Sequence, residues 1–323
     1  MAEPTSPPPR ETIDFDLAAA QAVLDRLDAP LQALAVRRLA GGSKDVFEID
    51  VPGQTLVLKP YPPASAWASR KEAYVGGLIG RVLDAPVPLW LAVDESLAVL
   101  PHVYALITRL PGRTLLSRNG KPEAEGLYRQ MGALLRTIHT IPMSRFGYIL
   151  DAETVVHAQL TNRDYLTKGF QAKFRDFRAH GGDAALAARM ERLVGESGDL
   201  MDACHAPVLC HYDYHPGNLL ADQSPDGEWR VSGLLDFENA MAGDPLYDLA
   251  KALDFSAHDD PASRAPLLEG YGAIERPHLA ETLVIYRLYH KLEMWNFFQA
   301  LGKARDASGA AGLLRDLDEL TPP

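Results

Sequence analysis

The chain has 323 residues, 47% of them apolar, with 32 Lys and Arg against 43 Asp and Glu for a net charge of −11. That is enough for one large domain or two lobes, and the acidic balance disfavours nucleic acid, whose phosphates need clustered Lys and Arg. Two cysteines make no disulfide framework and no apolar run reaches about 18 residues, so a cytoplasmic protein with neither membrane nor nucleic-acid partner is expected.

In chain order, residues 1–10 are proline-rich, lack the apolar core of a secretory signal, and read as a disordered tail. Phe15 to Leu27 has helical periodicity. Strand-like runs follow at Leu34 to Leu39, Val46 to Val51, Thr55 to Lys59, Val87 to Val93 and Val103 to Leu110, with a helix predicted over Ala64 to Leu83. Pro52-Gly53 joins the second and third runs as a hairpin. Past Pro111-Gly112 the pattern turns helical: Glu123 to His139, Tyr165 to Ala179, Ala184 to Cys204, Asp244 to Phe255 and Glu281 to Leu301. Only Val208 to Cys210 and Trp229 to Leu235 read as strands there. The expected architecture is α+β and bilobal: residues 11–110 a small antiparallel β lobe, and 111–323 a larger, mostly helical lobe. A cleft between such lobes is a usual place for a small-ligand site.

The densest chemistry lies in His211-Tyr212-Asp213-Tyr214-His215-Pro216-Gly217-Asn218, followed by an apolar strand ending at Asp236. Phosphoryl transfer needs a carboxylate to orient the attacking hydroxyl and oxygen ligands for magnesium. Asp213 suits the first task, and Asn218 and Asp236 suit the second. Protein-kinase catalytic loops use the same Asp-to-Asn spacing, although Tyr212 replaces the Arg of H-R-D. Glu238 is either a further oxygen donor or a local hydrogen-bond acceptor. The competing reading is a zinc site from Cys210, His211, Asp213 and His215. His211 and His215 have the i, i+4 spacing of H-E-x-x-H, but that motif needs a helix and Pro216-Gly217 argues for a loop. His211 reads better as a buried brace for the loop. Asp244 and Asp248 read as structural, an N-cap before Pro245 and a first-turn acid.

Earlier in the chain, Gly41-Gly42-Ser43 is either a phosphate-cradling nest or an ordinary hairpin turn. Lys59, at the end of an apolar strand, either reaches phosphates or faces water. Glu72, in the following helix, either holds that lysine or is solvated. Thr108 to Gly112 offers strand-edge backbone groups to an adenine, or simply links the lobes.

Together these segments fall in kinase order, and from about residue 35 to 255 the chain resembles the aminoglycoside phosphotransferase family, relatives of protein kinases that phosphorylate small-molecule hydroxyls. No activation segment lies between Asp236 and Asp244, which argues against a protein substrate. The resemblance implies ATP, with GTP as the alternative, and Mg2+. It implies Gly41, Gly42 and Ser43 around phosphates, Lys59 on the α- and β-phosphates, Glu72 holding Lys59, and backbone groups of Thr108 and Leu110 on adenine. Asp213 would be the catalytic carboxylate, with Asn218 and Asp236 on magnesium. One departure is Tyr212, where the family usually has Gly between His and Asp. For the acceptor, Asp164 and Glu293 suit amines, Glu238 is a further candidate, Trp295 suits stacking on a sugar or cation, and Asn296 shares a helix face with Glu293. An aromatic-rich helix is more often core. The first expectation is an antibiotic-modifying enzyme with a cationic aminoglycoside acceptor. Alternatives are a metabolic kinase of choline, homoserine or sugar type, and a nucleotide-binding protein without turnover.

Overall fold

The computed structural model describes residues 13–29, 31–39, 45–152, 154–256, 261–302 and 307–322. The expected tail and the Gly41-Gly42-Ser43 loop lie outside them. Contacts divide the chain into two compact units. The first comprises residues 1–127, 150–154 and 216–238, and the second 128–149, 155–215 and 239–323.

In the first unit, helix α1 (Leu17–Leu24) is capped by Asp16, whose carboxylate accepts from the Ala19 N–H at 2.8 Å. Strands β1 (Ala35–Arg38), β2 (Phe47–Val51) and β3 (Gln54–Tyr61) follow, then helix α2 (Ala68–Leu83), β4 (Trp90–Asp94) and β5 (Val103–Thr108). These five strands form one antiparallel sheet in the order β1-β2-β3-β5-β4. Strand alternation decides what each face does. On β3, Leu56 and Leu58 are fully buried with Phe15, Phe47, Ile49 and Leu106, each such side chain contributing about 1.5–3 kcal/mol. Lys59 points to the other face, where Tyr61 packs with Ala68 of α2.

Helix α2 buries Ala68, Glu72, Val75, Gly76 and Ile79, a helical repeat that turns Glu72 inward. A Cβ on Gly76 would sit 2.1 Å from the Trp90 ring, so the close approach of α2 to β4 requires glycine there. The unit extends beyond the expected boundary at Leu110 because β6 (Arg113–Thr114) pairs with a strand from much later in the chain, β10 below.

Helix α3 (Ala124–Ile138) leads into the second unit. There β7 (Phe146–Ile149), β8 (Val155–Gln159), α4 (Asn162–Ala179), α5 (Ala184–Glu196), α6 (Gly198–Asp202) and β9 (Val208–Cys210) follow in order. The chain then contributes the hairpin β10 (Leu219–Gln223) and β11 (Trp229–Leu234) to the first unit. It finishes in the second with β12 (Met241–Gly243), α7 (Pro245–Ser256), α8 (Pro261–Tyr271), α9 (Leu279–Ala300) and α10 (Ala307–Leu320). Strands β6, β7, β8, β10 and β12 are additions to the two strands expected past Gly112. They are two to five residues long, too short for alternation to register. The helix expected over Ala184 to Cys204 is two helices parted at Ser197. Pro266 inside α8 hides that helix from a periodicity reading. The core of this unit is aromatic: Phe170 meets Tyr289 edge-on at 5.0 Å, and Phe177 meets Trp295 at 4.5 Å. Among the described residues no helix is long and apolar enough to cross a membrane.

Candidate active site

In the first unit a lysine and three carboxylates converge. Lys59 Nζ donates to both oxygens of Glu72, at 2.7 and 2.8 Å, and to Asp236 Oδ1 at 3.2 Å. Burial disfavours the ammonium, but the charges of Glu72 and Asp236 more than offset it and hold the Lys59 pKa above its ordinary value. The Glu72 side chain is 4% exposed and that of Asp236 32%, so one partner is fixed inside and the other is open to solvent. Removing one member of a pair this buried leaves an uncompensated charge, at about 3–5 kcal/mol.

Asp236 follows β11 with φ +65°, a left-handed conformation that Asp tolerates better than most residues. Phe237 beside it is buried against Trp90, ring centroids 6.0 Å apart. Asn218 precedes β10, and its backbone carbonyl accepts from the Leu235 N–H at 2.9 Å. The antiparallel register Leu219 to Leu234 therefore brings Asn218 and Asp236 to the same end of the hairpin. Oxygens of Glu72, Asp236 and Glu238 all lie within 4.8 Å of one another. A donor set of oxygens alone suits magnesium. At the expected adenine edge, the Thr108 N–H donates to the Leu89 carbonyl at 2.9 Å, and the Leu110 carbonyl accepts from the Arg109 guanidinium at 3.0 Å.

In the second unit, β9 runs into the loop that carries Asp213. Tyr212 has φ +65°, a conformation costing a side chain about 1–2 kcal/mol. Buried Asp248, in the first turn of α7, holds that turn. Its carboxylate accepts from the His211 N–H at 2.5 Å and the Tyr212 N–H at 2.6 Å. His139 Nε2 lies 3.3 Å from the same carboxylate, and its Nδ1 lies 2.8 Å from the Tyr271 hydroxyl. Burial alone would raise the Asp248 pKa; the hydrogen bond from His139, the charges of His139 and His211 and the backbone donor take it below the usual value. His211 is buried, and its Nδ1 accepts from the Asp213 N–H at 3.3 Å, the bracing role expected of it. Asp213 itself is partly exposed, with Oδ1 3.4 Å from Lys251 Nζ and Oδ2 3.8 Å from His215 Nε2.

Cys210, His211, Asp213 and His215 do not gather into a zinc site. Cys210 Sγ groups instead with His139 and Asp248 and donates to the Asp244 carbonyl at 3.4 Å. Asp244 is structural as read: its carboxylate accepts from the Leu246 N–H, Arg276 and Tyr286.

Of the expected acceptor residues, Glu293 and Asn296 come together and the others do not. Glu293 accepts from Lys173 at 2.6 Å and from the Tyr212 hydroxyl at 2.6 Å. Burial pushes its pKa up, and Lys173 and Lys251 pull it below the usual value. Asn296 donates to the Lys173 carbonyl at 2.9 Å. Asp164 faces solvent in the first turn of α4, its N–H bonded to the N-cap hydroxyl of Thr161. Trp295 is 3% exposed against Phe177, so its ring offers no face for stacking. The burial of the α9 aromatics, not ligand binding, explains that tryptophan. Two residues the sequence reading passed over are Lys173 and Lys251. Lys251 stands three residues after Asp248 on one helix, a spacing that places both on neighbouring positions of one face.

A model of the phosphotransferase enzyme family matches residues 35–282. The chain belongs to this family. The match takes in Lys59, Glu72, Asp213, Asn218, Asp236 and Asp248. The N-acetylmuramate/N-acetylglucosamine kinase of Caulobacter vibrioides is 36% identical over 297 residues, covering 83% of this chain and 76% of that one. Acyl-CoA dehydrogenase family member 11 of Gallus gallus is 25% identical across 88% of this chain, which spans 37% of that protein's length. Among solved structures, a thermostable mutant of the aminoglycoside phosphotransferase APH(4)-Ia, in ternary complex with ADP and hygromycin B, superposes with a TM-score of 0.71. It is 19% identical and covers 93% of this chain and 96% of its own. The macrolide 2'-phosphotransferase MphH of Brachybacterium faecium gives 0.61 at 20% identity, covering 94% and 98%. These likenesses establish the α+β, protein-kinase-like fold. The phosphotransferase is an enzyme whose acceptor is a hydroxyl of a small molecule.

Proposed function

We propose that this phosphotransferase uses ATP to phosphorylate a hydroxyl of an N-acetylated amino sugar. The observation that carries the acceptor class is the charge pattern of the second unit. Of the two carboxylates expected to meet amines, Glu293 is already answered by Lys173 and Tyr212 and Asp164 faces solvent at the start of α4, while the catalytic Asp213 has Lys251 beside it. A cationic aminoglycoside would bring ammonium groups against Lys173 and Lys251, a like-charge juxtaposition that costs affinity. A neutral or carboxylate-bearing sugar meets no such penalty. The 36% identity to an N-acetylmuramate/N-acetylglucosamine kinase supports the same class.

In this reading Lys59, fixed by Glu72, takes the nucleotide's α- and β-phosphates. The Thr108 carbonyl and the Leu110 N–H meet the adenine. Asp236 and Asn218, with Glu238 near Asp236, would hold magnesium, which would neutralise charge on the phosphates. Asp213 orients the acceptor hydroxyl and receives its proton as the new O–P bond forms and the bond to the ADP oxygen breaks. The test is transfer of label from γ-phosphate-labelled ATP, with magnesium, to N-acetylglucosamine and N-acetylmuramate, beside aminoglycosides, choline and homoserine. Transfer to the two sugars above an Asp213→Asn blank supports the reading; transfer confined to aminoglycosides overturns it.

A further inference from the structure

Lys251 is the one charged side chain of α7 that reaches the Asp213 carboxylate among the described residues, and nothing in the phosphoryl-transfer scheme above assigns it a role. Its side chain is 11% exposed, and its Nζ lies 3.4 Å from Asp213 Oδ1. It does not hang freely there. Its ammonium sits over the Tyr212 ring, 4.5 Å from the centroid, an attraction of about 0.5–2 kcal/mol. That ring is in turn fixed: the hydroxyl donates to Glu293 at 2.6 Å, and the ring packs against Tyr247 and His290 at 5.3 and 5.5 Å. The charge of Lys251 is felt by its neighbours: it helps lower the pKa of Glu293, and with burial, the larger cause, it takes that of His290 down to about 4.

The position of Tyr212 makes this arrangement specific to the chain. A glycine there would adopt φ +65° without strain but would offer no ring. The tyrosine accepts the strained conformation and gives α7's lysine a face to lie on. Because Asp248 fixes the backbone of the same turn from the same helix, α7 controls both the peptide before Asp213 and one oxygen of its carboxylate.

We propose that Lys251, seated on Tyr212, is a positioning residue for Asp213. It holds Oδ1 and so fixes the rotation of the carboxylate that meets the acceptor hydroxyl. The assignment rests on Asp213 being the catalytic carboxylate, and it does not depend on which sugar is the acceptor. Phosphoryl transfer draws most of its rate from positioning and charge placement, so a carboxylate free to rotate loses turnover without losing substrates.

The experiment compares wild type, Lys251→Met and Lys251→Arg. It follows kcat and KM for the acceptor the wild type uses, ATP affinity by titration calorimetry, and release of inorganic phosphate from ATP with water as the acceptor. Lys251→Met keeps the stem that lies on the ring and removes the charge. The expected result is a fall in kcat of about ten- to hundredfold in both transfer and hydrolysis. Acceptor KM and ATP affinity should stay within about twofold, with substantial recovery in Lys251→Arg. A Met variant with wild-type kcat, or one whose loss lies in KM alone, overturns the proposal. If Lys251→Met does not fold, Lys251→Gln replaces it, and an Arg variant no faster than Gln is equally contrary. A wild type that hydrolyses ATP but phosphorylates no amino sugar contradicts the acceptor reading and leaves this comparison intact.

Discussion

The two units handle charge in opposite ways. In the first, Lys59, Glu72, Asp236 and Glu238 form a small electrostatic cluster with Asp236 left partly open. In the proposed reading those partners are exchanged for phosphates and a metal ion. In the second, charge is used to fix backbone: buried Asp248 holds two N–H groups of a left-handed turn, and Glu293 is closed by Lys173 and Tyr212. One region keeps its ligands ready for substitution, and the other uses them to hold a single carboxylate in place. The nucleotide should therefore depend on the first unit, and the rate of transfer on the second.

The sharpest way to break that division is Asp213→Asn. Turnover should fall by about 10²–10⁴-fold, while ATP affinity by calorimetry stays unchanged; a parallel loss of ATP binding would contradict the separation. Next, Asp248→Ala leaves two buried N–H groups without their acceptor, each costing about 1–3 kcal/mol. A lower denaturant midpoint together with slower turnover is expected, and an active variant of unaltered stability would show that the turn needs no brace. A smaller effect, on the other side of the division, is Glu72→Gln. It weakens a charge-assisted bond to Lys59, so KM for ATP should rise about tenfold with acceptor KM unmoved. The smallest is Trp295→Phe. As a core residue it should lose stability by about 1–3 kcal/mol and leave acceptor KM within about twofold, whereas a large rise in that KM would restore a stacking role.

Legibility in the sequence follows the same contrast. The strand and helix patterns around Lys59 and Glu72 left each facing either a partner or water, and only the kinase order of the segments paired them; the structure joins the two directly. Asp213, Asn218 and Asp236 were marked by spacing around turn residues. What the sequence hid depends on contacts distant along the chain. The partner of Tyr212 is Glu293, the partner of Cys210 is Asp244, and Lys251 reaches back to Asp213. No local pattern announces such pairs. Short strands such as β12 exist because β7 and β9 flank them, not because three residues prefer that form. The acceptor residues were the weakest part for the same reason: Glu293 and Trp295 look alike in a helical window, yet one meets a lysine and the other a phenylalanine.

Competition between acceptors is the decisive measurement for the proposed N-acetylated amino sugar. The wild type is given ATP, magnesium, and an equimolar mixture of N-acetylglucosamine and an aminoglycoside, and the products are resolved by mass spectrometry. The expected outcome is a phosphorylated sugar, an untouched aminoglycoside, and neither product with Asp213→Asn. Phosphate on the aminoglycoside, with the sugar unmodified, would contradict it.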